Sequence, residues 1–183
     1  MLDIDVTYHK LWIIESLGEK DQKTGQYLYE DIFMHQQVID VEVVTVSSSA
    51  EFLKTLDRIE TFNHVHSKSS MIHIDCHGDT EGLQLADNSF IKHEKLRKKL
   101  MKINISSCLN LCVTIAACHG LYSSTIAAVL DRAPFLILVS CPTIISQRTI
   151  TRFRNFYVVV PAKPAFSNSR EKPAILIGNA VSH

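Results

Sequence analysis

The chain has 183 residues and 46% hydrophobic content, enough to bury one ordinary core and in the range of a soluble globular domain. Nineteen basic residues balance nineteen acidic ones, so no net field selects nucleic acid or an anionic membrane as partner. No apolar run reaches the roughly 18 residues of a membrane span, and Met1 to Asp5 lacks the basic and apolar regions of a secretion signal. The five cysteines, an odd number, fit reduced thiols in a cytoplasmic protein with one domain over 1–150 and an atypical tail over 151–183.

Short continuous apolar runs alternate with polar, helix-compatible stretches, the layout of strands buried on both faces with helices outside. Leu11 to Ile14 reads as a first strand with Trp12 in the core, and Tyr27, Leu28, Ile32 and Phe33 fall at helical spacing up to about Gln36. Val38 to Val46 reads as a second strand. Ser47 to Ser49 offer caps for a helix from about Glu51 to Phe62, whose Phe52, Leu53, Leu56 and Ile59 form one apolar stripe.

Met71 to Asp75 is the third strand, stopping at Cys76-His77-Gly78. Leu83 to Leu85 and Phe90-Ile91 flank Asp87-Asn88-Ser89, so a hairpin is expected beside that strand's exit. His93 to Ile103 reads as an amphipathic helix, its Lys95, Arg97, Lys98, Lys99 and Lys102 forming a solvated face. Leu109 to Ala116 is a fourth strand stopping at Ala117-Cys118-His119-Gly120. A short helix capped by Ser123 or Ser124 runs through Leu130, and Phe135 to Val139 is a fifth strand.

Strands three and four therefore each pass from apolar to reactive at their last residues. Ligands in open parallel sheets bind outside the carboxyl ends of strands. If these two are neighbours, their ends lie about 5 Å apart, close enough for proton transfer between side chains. A thiol with a reference pKa of about 8.5 is mostly protonated at neutral pH, and an adjacent imidazole raises its thiolate fraction. Cys118 is the candidate nucleophile and His77 its proton carrier, with the Gly78 and Cys118 amides as candidate oxyanion donors.

The segment Ala116-Ala117-Cys118-His119-Gly120 resembles the QACRG block of caspases, and His77 lies at the upstream distance of their histidine. The stretch from His77-Gly78, through the Gly82 to Asp87 hairpin and the next helix, to Ala117-Cys118 resembles CHAT domains, a caspase-like peptidase branch. The likeness covers about Met71 to Gly120. It implies a caspase-like three-layer sandwich with a mainly parallel sheet flanked by helices, peptide-bond hydrolysis through a thioester, a histidine and cysteine dyad, and no required cofactor. A protein or peptide is the implied substrate, with an activating protein partner as a further candidate. Ala116 stands where caspases carry glutamine and His119 where they carry arginine, so aspartate specificity is not implied.

Other readings stand beside this one. The fold can persist as a non-catalytic interaction or regulatory module. Cys76, Cys108, Cys112 and Cys141 read as small apolar fillers. Asp75 and Asp79, with Glu81, are candidates for binding a basic substrate side chain, or are turn residues and caps. The histidines, with Cys76, Asp79 and Cys118, lack the spacing of a preorganised zinc site, strand alternation being expected to send His73 and His77 to one side and Asp75 to the other.

Overall fold

The structure is a computed structural model that describes residues 8–35, 39–119 and 133–140. Buried apolar strands come first: β1 (Lys10–Ser16), β3 (Ser70–Gly78) and β6 (Cys112–Ala116) are almost wholly out of water. They combine with β2 (Asp40–Thr45) and β7 (Ile137–Ser140) into a parallel sheet ordered β2-β1-β3-β6-β7. Strands buried on both faces need helices on both sides, because an uncovered apolar face would lose about 1.5–3 kcal/mol per large side chain.

Strand alternation sorts the two faces. Trp12, Ile14, Ile72, Ile74, Val113 and Ile115 pack against Phe52, Leu56 and Ile59 of α2 (Ser49–His66) and Leu96, Leu100 and Ile103 of α3 (His93–Ser106). Leu11, Ile13, Met71, Cys112 and Ala116 pack against Leu28 and Ile32 of α1 (Thr24–His35). The molecule is thus an α/β sandwich of three layers, with Trp12 in its core as expected.

Several boundaries depart from the local pattern for nonlocal reasons. β3 runs on to Gly78 because β4 (Gly82–Gln84) pairs antiparallel with its end, His77 opposite Gln84 and Gly78 opposite Leu83. β4 closes a hairpin with β5 (Phe90–Lys92) at the expected place beside that exit. Only glycine fits at 82, where an added Cβ would stand 2.1 Å from the Ile91 carbonyl oxygen. α2 is longer than its apolar stripe: Ser48 caps it, with Oγ accepting the Glu51 N–H at 3.3 Å, and it ends only where Ser67 turns left-handed. β6 starts at Cys112, not Leu109, because Cys108 and Leu109 take positive φ in a turn held by the Leu109 N–H on the Asn104 carbonyl.

That turn leaves Cys108 exposed, against the expectation of a buried filler, whereas Cys76 and Cys112 are buried. Arg97 is also buried, so the basic side of α3 is not uniformly solvated. Its neighbours behave as surface cations, Lys98 pairing with Glu94 at 2.7 Å and Lys99 with Asp57 across the α2–α3 interface. The helix expected through Leu130, Gly120, Cys141 and the tail over 151–183 lie outside the described residues. Among the described residues no helix is long and apolar enough to cross a membrane.

Candidate functional site

A parallel sheet sends all its carboxyl ends to one edge, and in this sheet β1, β3 and β6 are contiguous. The β3–β6 register pairs Asp75 with Ala116. His77 lies two residues further along β3, whereas β6 ends at Ala116 and Cys118 stands two residues beyond it, in a turn. Gly78 closes the gap between the two exits: an added Cβ would lie 2.9 Å from the Cys118 carbonyl oxygen and 3.1 Å from Ala117 Cβ. The turn beyond β6 thus meets the end of β3 at this rim. His77 is exposed, and Cys118 is partly buried.

The chain turns after Ala116, through Ala117, Cys118 and His119. His119 takes φ 56°, in the left-handed region that costs a non-glycine residue roughly 1–2 kcal/mol. Such outliers concentrate at functional sites, where the surroundings hold them in place.

The loop after β1 adds a group that the sequence reading missed. Asp21 Oδ2 lies 2.9 Å from His77 Nε2 and accepts the Gly18 N–H at 2.8 Å. Lys23 Nζ pins the same loop by donating to the Leu17 and Gly18 carbonyls at 2.7 and 3.1 Å. His77 first, and the Gly18 amide second, hold the Asp21 carboxyl below the usual carboxylate range. Within the polar run Gly18 to Lys23 nothing local distinguishes Asp21 from its neighbours. Its one signal is its place at the carboxyl end of the strand beside β3.

Neither expected substrate-binding acid is placed free at the rim. Asp75 is buried on the α1 face, where it accepts the Thr24 hydroxyl, and burial pushes its pKa up to about 6. Glu15, also buried, accepts the Gly25 and Gln26 N–H groups at 3.0 and 3.2 Å, so two acids meet the α1 amino terminus, whose free amides favour negative charge. Asp79 is exposed, but its Oδ1 accepts the Glu81 and Gly82 N–H groups at 2.7 and 3.0 Å, the turn arrangement.

The expectation that Asp75 opposes His73 is corrected. Residues 73 and 75 differ by a full strand period and share the α1 face, His73 Nδ1 lying 2.7 Å from Thr114 Oγ1 on that side. Burial lowers the His73 pKa to about 3, keeping the ring neutral. Among the described residues no group of three or more His, Cys, Asp or Glu side chains is arranged to hold a metal ion.

No protein-family model matches the chain, and no curated protein matches it.

Proposed function

We propose that the chain carries a caspase-like cysteine endopeptidase site of the CHAT type. The observation that carries this reading is the close approach of Gly78, next to His77 at the end of β3, to the Cys118 carbonyl in the turn just beyond the neighbouring parallel strand β6. The strained turn at His119 and the hairpin hydrogen-bonded to the His77 exit support it.

In this reading the Cys118 thiol passes its proton to His77, and the thiolate adds to a substrate carbonyl carbon. Negative charge on the carbonyl oxygen is met by the Gly78 and Cys118 amides. The tetrahedral adduct collapses with cleavage of the C–N bond, and His77 protonates the departing amine. Water then attacks the thioester, giving its proton to His77, and the acid product leaves as the thiol is restored. The substrate is a protein or peptide.

The test is selective alkylation of the folded chain by iodoacetamide across pH, read by peptide mass spectrometry. Exposed Cys108 supplies an internal reference for an ordinary accessible thiol. Cys118 labelling faster than Cys108 near neutrality, together with cleavage of a fluorogenic peptide library that is lost in Cys118→Ala and His77→Ala, supports the peptidase. Labelling of Cys118 no faster than Cys108, with no cleavage of the library, sinks it in favour of a non-catalytic scaffold.

A further inference from the structure

A carboxylate can only accept hydrogen bonds, so the proton in the Asp21–His77 contact sits on Nε2. A neutral imidazole with its proton on Nε2 keeps its lone pair on Nδ1. Which nitrogen is the base is thus decided by what the other one touches.

We infer that Asp21 is a positioning residue: its Oδ2 holds His77 as the Nε2–H form and leaves Nδ1 as the nitrogen that exchanges a proton with Cys118. The inference rests on the peptidase reading for the role of Cys118, whereas the tautomer itself depends only on the contact. The loop after β1, the end of β3 and the turn after β6 would then contribute acid, base and nucleophile in turn, from three contiguous strands. The Gly18 amide shares the same Oδ2, and Lys23 ties down the loop backbone, so the carboxylate is oriented before any substrate arrives. When His77 takes up the thiol proton, the Asp21 charge stabilises the imidazolium and, through it, the thiolate.

Two substitutions separate contact from charge. Asp21→Asn retains one oxygen able to accept from both Gly18 and Nε2 while removing the negative charge, and Asp21→Ala removes both. Both are made in the full chain and read in two ways, by the ring-nitrogen pattern of His77 in long-range proton–nitrogen spectra and by the pH profile of Cys118 alkylation. The wild type is expected to show Nε2–H alone, Asp21→Asn to keep it, and Asp21→Ala to show a mixture of both ring forms. Because both partners are partly exposed and screened, loss of the charge should slow Cys118 about three-fold at neutral pH and move the rising limb of its profile to higher pH. Asp21→Ala should be slower still.

An Asp21→Ala protein with the wild-type ring pattern and the wild-type profile overturns the inference. If Cys118 never outpaces Cys108 even in the wild type, the peptidase reading falls by itself. The ring pattern, recorded in a Cys118→Ala background, then still decides whether Asp21 holds the tautomer.

Discussion

Asp75→Asn should flatten the dependence of stability on pH. Asp75 is 3% exposed, and burial first, reinforced by neighbouring Glu15, raises its pKa from 3.8 to about 6 against the lowering effect of the Thr24 hydroxyl. The folded state therefore binds this proton more tightly than the unfolded state does. Between about pH 4 and pH 6 the native chain carries more protons, so stability falls as pH rises, and the loss is complete above the folded pKa. The gap corresponds to about 3 kcal/mol at 1.36 kcal/mol per pH unit, a large share of a typical domain's stability. Asparagine keeps an acceptor for the Thr24 hydroxyl and has no charge to desolvate, so this pH-dependent loss vanishes. Urea denaturation of both proteins at pH 4 and pH 7 measures it: the advantage of Asp75→Asn over the wild type should grow by about 2.4 kcal/mol between the two, part of the loss being already incurred at pH 4. Stability curves that stay parallel across the window would refute the assignment of a raised pKa to Asp75.

Gly78→Ala forces a methyl group to 2.9 Å from the Cys118 carbonyl oxygen, so one strand exit must shift; about 1–3 kcal/mol of stability is lost, and Cys118 alkylation slows relative to Cys108. Asn63→Ala removes an amide that donates to Ser107 Oγ at 2.7 Å and accepts from Ser70 Oγ at 2.5 Å, itself the acceptor of the Trp12 indole N–H at 3.2 Å. Stranding these buried hydroxyls costs about 2–3 kcal/mol, read as a lower urea midpoint with an unchanged slope. Cys76 and Cys112 are buried and their thiols are pushed up by burial, Cys112 to about 12, so in alkaline buffer both should label only at the rate of global unfolding while Cys108 labels at once.

The sheet was legible because its interior strands are buried on both faces and appear as apolar runs such as Leu11 to Ile14, and Met71 to Ile74 broken only by His73. The helices were legible through stripes such as Phe52, Leu56 and Ile59. What escaped is set by partners distant in sequence. The end of β3 depends on β4, the exposure of Cys108 on two consecutive left-handed residues, and the burial of Arg97 on the packing of α3. That β3 and β6 are neighbours was foreseeable because both read as apolar runs, and their pairing sets Gly78 against the Cys118 carbonyl. Asp21 ends no such run. It reaches His77 across 56 residues from an ordinary polar loop.

The rim of this sheet is built by topology more than by local sequence. Parallel pairing makes the height of each strand exit a consequence of register, and a slip of one residue on β6 would turn Ala116, its last residue, to the opposite face and displace the turn that carries Cys118. Register is in turn held from inside the sheet, where the His73–Thr114 contact joins β3 and β6 and the Asn63 cluster ties β1, β3 and the ends of α2 and α3. The hairpin adds a clamp from outside: the Ala86 N–H donates to Ser16 Oγ at 3.0 Å, and the Asp87 N–H donates to the Ser47 carbonyl at 2.9 Å, fastening it to the exits of β1 and β2. Polar groups buried far below the rim thus act on it through strand height, so under the proposed function substitutions at Asn63 or Thr114 change the rate of Cys118 alkylation without touching the rim.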